Sequence, residues 1–427
     1  MVNQFISDLY KSKLVSVWGV GYLGYTTAIK LQSKGFVPII FDSDRDRLDG
    51  IKNGTYPGAS QENSWTIGEA IPKLDLNRCV ITNNINELFD ANIHIIAFSL
   101  LASDSNKTVE SIVKNLKLNG KNNLFLFQSA EIPGAIDNFF VKKMDGLNNA
   151  FCASIFRSDW LIEEFVTDKK RRAIGVNDKE VYALVNNFLK IFDIDYFKID
   201  SIELAEIYAN ATKSLQYICS SYLSQLSISY PSSNINSIAH PLLNSLEHNE
   251  SLLTVGSIGY RTSNSNDNLL LATVDNEKMT ILQESQKTNL SILMHYVDLL
   301  KRNNIDSVLI MGLSSQKNQK DLRASPSIVL IRYLISNNIK TCVVDPFFSE
   351  DEILNISTDI ISSDIHANVE AVFCMIAHNE FQFLTQDVIN SSSLFNAKIV
   401  IDNARILNNI TLSDNTIFHV PGDGNLF

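Results

Sequence analysis

The stretch Leu14-Val-Ser-Val-Trp18-Gly19-Val20-Gly21-Tyr22-Leu23-Gly24-Tyr25, running on to Ile39-Ile40-Phe41-Asp42, sets the architecture of the chain. An apolar run meets a glycine turn. A helical pattern continues at Thr27, Ala28, Ile29 and Leu31, and a second apolar run ends in an acid. The order is strand, Gly-x-Gly-x-x-Gly turn, helix, strand, acid. Gly19 suits the tight turn, Gly21 lets backbone approach a pyrophosphate, and Gly24 lets the helix pack on the sheet. The amides around Val20, Tyr22 and Leu23, where the helix starts, carry partial positive charge and suit phosphate. Asp42 can accept from ribose hydroxyls, which favours NAD over NADP. Arg47, five residues on, is placed to reach the adenosine end. The competing reading is a strand-to-helix turn that holds no ligand.

Beyond this unit the alternation continues. Cys79–Thr82 reads as a strand, Ile85–Ala91 as a short helix, Ile93–Phe98 as a buried strand and Lys107–Leu116 as a helix. Asn123–Phe127 is a further strand, opening into Gln128-Ser129-Ala130-Glu131-Ile132-Pro133-Gly134. Short apolar strands alternating with helices imply a parallel, doubly wound sheet buried on both faces. The segment Thr55–Asn63 reads as irregular. Ile202–Ser229 has helical periodicity with no Gly or Pro, and Met279–Asn303 reads as a second long helix. Pro231–Asn268, between them, is irregular and rich in Ser and Asn. Strands then resume at Val308–Met311, Lys340–Val344, Ala371–Ile376 and Lys398–Ile401, with a helix from Ile328 to Ile335 behind Pro326. The fold class is α/β: two Rossmann-like doubly wound domains joined by a long central helix and a helical middle region. The expected divisions are 1–200, 201–303 and 304–427.

Composition bounds the function. At 427 residues the chain exceeds one core. A net charge of −11 argues against nonspecific nucleic-acid binding. No apolar run is long enough to span a bilayer, and no partner in the membrane is expected. The five cysteines, Cys79, Cys152, Cys219, Cys342 and Cys374, show no Cys-x-x-Cys spacing. They read as reduced, mostly buried thiols of a cytoplasmic protein. No metal-ligating spacing is present. His94, inside an apolar strand, reads as a satisfied core residue. His240 and His248 read as loop histidines, with an acid/base pair as the alternative.

Several stretches resemble the UDP-glucose/GDP-mannose dehydrogenase family, over nearly the whole chain. Ala205-Glu206-Ile207 looks like the family's Ala-Glu-Leu entry to the long helix. Asn318-Gln-Lys-Asp321-Leu322-Arg323-Ala-Ser325-Pro326 looks like its Asn-Thr-Asp-Asp-(Ile/Leu)-Arg-Glu-Ser-Pro loop. Val344-Asp345-Pro346 matches Tyr-Asp-Pro, and Ile401-Asp402-Asn-Ala-Arg405 resembles the closing Asp-Gly-Arg-Asn. The resemblance implies NAD-dependent oxidation of a sugar CH2OH to a carboxylate in polysaccharide assembly, and a homodimer built on the long helix and middle region. It also implies a cysteine thiolate, a lysine and an asparagine for developing oxyanions, and acids with a water.

Those chemical positions are changed. Where the family has Gly-x-Gly-Phe-Gly-Gly-Ser-Cys-x-x-Lys-Asp, this chain has Gly256-Ser-Ile-Gly259-Tyr260-Arg261-Thr-Ser263-Asn-Ser-Asn266-Asp267. Ser263 stands at the cysteine and Asn266 at the lysine, and no cysteine lies between Cys219 and Cys342. On the long helix the lysine and asparagine positions hold Ala209 and Lys213, although Asn210 lies beside them. The family's Ser-Thr pair is Ser129-Ala130 here, its Asn-Pro-Glu-Phe acid position holds Ile155, and its loop lysine position holds Gln316. The resemblance places Ser129 at the cofactor, Lys213, Ser263 and Arg323 in the substrate cleft, and leaves Asp267 as a weak catalytic candidate. The favoured reading is an NAD-binding homologue, a pseudoenzyme for the four-electron oxidation, acting alone or with an active relative. The first alternative is changed chemistry on a nucleotide sugar, a single oxidation or a redox-neutral epimerisation. The second is an ordinary UDP-sugar 6-dehydrogenase.

Overall fold

The computed structural model describes residues 11–54, 73–100, 105–155, 172–239 and 279–424, apart from 130, 148, 191–195, 316, 319, 321, 323–324, 383 and 408–409. Thr55–Asn63 and residues 240–268 of the middle region lie outside this set. The chain divides into two compact units, and the division falls between Ala211 and Thr212, inside the long helix.

The described part of the first unit builds an eight-stranded sheet. Its strands are β1 (Leu14–Trp18), β2 (Val37–Phe41), β3 (Val80–Thr82), β4 (Ile93–Ile96), β5 (Asn123–Phe127), β6 (Ala150–Ser154), β7 (Arg172–Gly175) and β8 (Tyr196–Ile199). They lie in the order β3-β2-β1-β4-β5-β6-β7-β8. Every neighbouring pair is parallel except β6 with β7, which meet antiparallel at Ser154 and Gly175. The order reverses beside β1, so the crevice at the carboxyl ends of β1 and β4 is the switch point where such sheets hold ligands. Helices α1 (Tyr22–Ser33), α2 (Arg45–Lys52), α3 (Ser105–Asn119) and α4 (Lys179–Leu189) connect the strands.

Alternate residues of each central strand enter opposite cores. Val15, Val17, Ile93, Ile95, Leu124 and Leu126 share one face. Trp18, Ile96, Phe125 and Phe127 share the other, as the two-residue period of a strand requires. On this second face a polar ladder crosses β1, β4 and β5. His94 Nε2 donates to Asn123 Oδ1 at 2.9 Å, and its Nδ1 lies 2.6 Å from Ser16 Oγ. Burial lowers His94 to about pKa 4, so the ring stays neutral. It is the satisfied core residue its strand suggested.

The long helix α5 (Ile202–Ser229) matches the periodic stretch residue for residue. Its start presses on β7: a Cβ on Gly175 would lie 2.3 Å from Ala205 Cβ and 2.7 Å from the Ser201 carbonyl. Strands β6 to β8 and helix α4 carry no strong sequence signal. Ala150, Phe151 and Cys152 are only half-buried, and Ala150-Phe-Cys-Ala153 has no β-branched residue to mark it as a strand.

The second unit contains α6 (Thr280–Arg302), close to the expected Met279–Asn303. Its sheet comprises β9 (Ser307–Met311), β10 (Lys340–Val344), β11 (Ile360–Ser362), β12 (Ala371–Cys374), β13 (Ile399–Asp402) and β14 (Ile417–His419). The order β11-β10-β9-β12-β13-β14 repeats that of the first six strands of the other sheet, with every pair parallel. Helix α7 (Pro326–Ser336) has Pro326 in its first turn and Ser325 as cap. Ser325 Oγ accepts from Ser327 N at 3.1 Å and donates to the Leu313 carbonyl at 2.6 Å. This is the physical content of the Ser-Pro pair read from the sequence.

The turn after β1 depends on Gly24. A Cβ there would stand 1.8 Å from the Gly19 carbonyl oxygen, a backbone atom that cannot swing aside. Gly24→Ala is expected to destabilise the first unit by about 3 kcal/mol, measured by urea unfolding. An unchanged midpoint would show that helix α1 does not need this close approach.

Candidate dinucleotide site

Gly19 ends β1 with φ of +88°, a left-handed conformation natural only to glycine. Its amide donates to the Phe41 carbonyl at 2.8 Å, which turns the chain towards β2. The next amide, Val20 N, donates to Asp42 Oδ2 at 2.8 Å. The acid that ends β2 therefore ties down the glycine turn from the side. Asp42 also accepts from Asp44 N at 3.0 Å and from Arg47 Nη1 at 3.0 Å. Arg47 is thus paired with the acid, and Arg45 lines the neighbouring cavity. That cavity, about 370 Å³, is bordered by Phe41, Asp42, Ser43, Arg45, Ile85 and Lys107. It lies where the adenosine end was expected.

Helix α1 begins at Tyr22 with Gly21 as its cap, in extended backbone and with no side-chain cap. The first amides of the helix therefore have no capping oxygen from Gly21 and suit an incoming anion. Among the described residues nothing lies within 4 Å of a Cβ built on Gly21. This glycine serves no packing need, whereas Gly24 does. Leu23 is buried beneath the turn.

The segment after β4 closes the other side. Ala97 N donates to the Trp18 carbonyl at 2.8 Å. A Cβ on Gly19 would lie 3.1 Å from Phe98 Cβ, so this segment lies against the turn. Ser129 Oγ donates to the Phe98 carbonyl at 2.9 Å, which holds Ser129 beside the segment after β4.

Two acids at this edge were given no chemical role from the sequence, although Glu206 belongs to the Ala205-Glu206-Ile207 stretch. Glu131 is 1% exposed, and accepts from Ser99 Oγ at 3.0 Å and Leu100 N at 3.2 Å. No basic side chain pairs with it among the described residues, and burial pushes it up to about 7. Glu206, on α5, accepts from Gly134 N at 2.7 Å and Ile136 N at 3.0 Å. Burial dominates there too and pushes it up to about 8. The signal for Glu131 was an acid set among apolar residues just past a buried strand. Asn210 Nδ2 donates to the Glu131 and Glu206 carbonyls, at 2.8 and 2.9 Å. Its amide is therefore engaged with backbone rather than presented as an oxyanion donor.

The remaining candidates are scattered or undescribed. Lys213 is buried on α5. Ser263, Asn266, Asp267, Gln316, Arg323, His240 and His248 lie outside the described residues. Ile155, at the position aligned with the family acid, is buried in the core beside β6. All five cysteines are free thiols. Only Cys342 and Cys374 are fully buried, where most were expected to be; the other three are half-buried. Burial nevertheless raises every one of them, Cys79 to about 11.

The second unit uses the same clamp. Gly312 has φ of +97° after β9, and Asp345 at the end of β10 accepts from Leu313 N at 2.6 Å and Ser314 N at 3.2 Å. The buried His378 donates from Nε2 to Asp345 Oδ2 at 3.1 Å and accepts at Nδ1 from Asn318 N at 2.9 Å. His378 was not singled out in the sequence.

Residues 309–409 match the model of the UDP-glucose/GDP-mannose dehydrogenase family, UDP binding domain. A UDP-N-acetyl-D-mannosamine dehydrogenase of Methanococcus aeolicus is 22% identical, over 96% of this chain and 95% of its own. A UDP-N-acetyl-D-glucosamine 6-dehydrogenase of Pseudomonas aeruginosa is also 22% identical, over 87% of this chain and 92% of its own. The solved UDP-D-ManNAc dehydrogenase of Pyrococcus horikoshii superposes with a TM-score of 0.73 at 18% identity, covering 96% of this chain and 100% of that one. This likeness confirms the α/β fold with two parallel-sheet domains.

Glu131 makes stability depend on pH. Its folded pKa lies above the ordinary 4.5, so the native state holds a proton that the unfolded state has released. Stability should fall as pH rises from about 4.5 to about 7, by up to about 3 kcal/mol from this group. Denaturant unfolding across this range is expected to show the fall in the wild type and a smaller one in Glu131→Gln. Identical pH profiles would place Glu131 in a far wetter setting.

Proposed function

We propose, since this chain belongs to the UDP-glucose/GDP-mannose dehydrogenase family, that it binds NAD and a nucleotide sugar but has lost the thiol-dependent four-electron oxidation. The observation that carries this is the state of the cysteines. Holding an aldehyde as a thiohemiacetal needs a thiolate. Burial raises all five thiols, and the chain has no cysteine between Cys219 and Cys342. Ser263 is no substitute, because an alkoxide is far harder to form near neutral pH and its ester lacks thioester reactivity.

NAD fits the first unit. Gly21 leaves room for the pyrophosphate, the first amides of α1 face it, and the cavity beside Asp42 takes the adenosine. Asp42 has one acceptor site left, on Oδ1, for a ribose hydroxyl after its three bonds to the protein. Bound NAD supplies a hydride acceptor. The protein's own part is to orient the dinucleotide, keep the glycine turn rigid and receive the proton. A nucleotide sugar is the substrate class because residues 309–409 match a UDP-binding domain. Without a thiolate the oxidation stops after one hydride. The homodimer, the polysaccharide setting and the cytoplasmic location belong to the same proposal.

A second reading has the relatives' names behind it: both curated relatives, each matched over most of its length, are called dehydrogenases of N-acetylated UDP-sugars. The two readings differ in stoichiometry. With UDP-N-acetylmannosamine, UDP-N-acetylglucosamine and UDP-glucose, the purified protein is expected to bind NADH and to form at most one NADH per sugar. Two NADH per sugar would establish the second reading. Gly21→Ala is expected to leave the unfolding midpoint unchanged while weakening NADH binding about tenfold or more. Equal affinity would mean that no pyrophosphate lies against this turn.

A further inference from the structure

We propose that Ser99 and Glu131 form a proton relay for alcohol oxidation at the carboxyl edge of the first sheet, with Ser99 Oγ receiving the substrate proton and Glu131 storing it. This rests on the reading of an NAD site on that edge, and goes beyond it by naming the proton acceptor. Ser99 is exposed, immediately beyond the Ala97–Phe98 segment that lies against Gly19. Its hydroxyl donates to Glu131 Oε2 at 3.0 Å, while Leu100 N holds Oε1 at 3.2 Å. The carboxyl is 1% exposed, and of the two hydroxyls on it, Ser99 and Ser129, Ser99 is the exposed one. Two further bonds hold the serine's segment: Ser129 Oγ to the Phe98 carbonyl at 2.9 Å and Ser105 Oγ to the Ser99 carbonyl at 2.6 Å.

Among the described residues the other acids and bases at this edge are engaged: the Glu206 carboxyl accepts from Gly134 N and Ile136 N. His94 is locked neutral inside the sheet, and Asp42 is tied to the turn and to Arg47. Among the described residues the charged group facing Glu131 is Glu206 on α5, itself influenced by Asp137. Burial favours a carboxyl that accepts a proton near neutrality, which suits a general base.

In the step, the substrate O–H proton passes to Ser99 Oγ as the serine's own proton passes to Glu131 Oε2. Bound NAD, held at the Gly19–Gly24 turn and Asp42, would supply the acceptor for the carbon-bound hydrogen and its electron pair, so that the C–O bond becomes C=O and the two electrons leave the alcohol for NAD. Glu131 then returns its proton to solvent by the same route.

The test uses the full chain and the variants Ser99→Ala, Ser99→Thr and Glu131→Gln. The first readout needs no substrate: infrared titration of the carboxyl, wild type minus Glu131→Gln, is expected to show one group ionising near pH 7. NADH binding by fluorescence is expected to be equal in all four proteins. Single-turnover reduction of NAD by UDP-N-acetylmannosamine, UDP-N-acetylglucosamine or UDP-glucose is expected to rise with pH to a plateau above about 7 in the wild type. Ser99→Ala and Glu131→Gln should lose about 100-fold and the pH step, and Ser99→Thr should retain both. Rates within twofold of wild type in Ser99→Ala, an exposed site that does not threaten folding, would overturn the relay. So would a carboxyl titrating near 4, or a wild type that binds NADH yet oxidises none of the three sugars. A wild type that fails to bind NADH would instead overturn the NAD site itself.

Discussion

An acid at the end of the second strand fixes the turn after the first, and it does so in both units. In the first, Asp42 accepts from Val20 N; in the second, Asp345 accepts from Leu313 N and Ser314 N. Each bond pairs a buried carboxylate with backbone amides of the loop after a positive-φ glycine. Such charge-assisted bonds are strong and short, and an amide left bare there would cost about 1–3 kcal/mol. The crevice at the switch point exists because these turns cannot sag into it. The units differ in how the next helix is capped. In the first, the cap is a glycine without a side chain, while the second caps α7 with Ser325 Oγ. In the first, the cap therefore leaves backbone room beside the start of the helix.

Desolvation then sorts the ionisable groups behind that crevice. It raises the five thiols above the range in which they ionise near neutrality. It raises Glu131 and Glu206 into that range. The same cause therefore removes nucleophiles and creates proton acceptors. A chain with this balance suits hydride chemistry with proton transfer better than covalent catalysis through sulfur.

The architecture was legible because its central strands are apolar on both faces and its punctuation is glycine. Leu14–Trp18, Val37–Phe41 and Asn123–Phe127 lie where their patterns put them, as does the whole of α5. The half-exposed strand at Ala150–Ser154 and the reversed pair it makes with β7 gave no comparable signal. At the site, Gly19 and Gly24 could be read because each answers a local demand of the turn, whereas the bond from Val20 N to Asp42 was not legible in the sequence. Ser99 and Glu131 could not be read either. They are 32 residues apart, and their meaning comes from two loops brought together by neighbouring parallel strands. Arg47 was read from its spacing as a residue for the adenosine end; the pairing of its guanidinium with Asp42 and Asp44 was not legible in that spacing.

If oxidation here proceeds without sulfur, no sugar is ever bonded to the protein, and intact-protein mass after reaction reads that out. The protein is mixed with NAD and UDP-N-acetylmannosamine, quenched in acid and weighed, with any modified peptide located by fragmentation. The unmodified mass is expected at every time point, since no thiolate is available to hold the sugar. A nucleotide-sugar adduct that appears transiently and maps to one of the five cysteines would contradict sulfur-free oxidation.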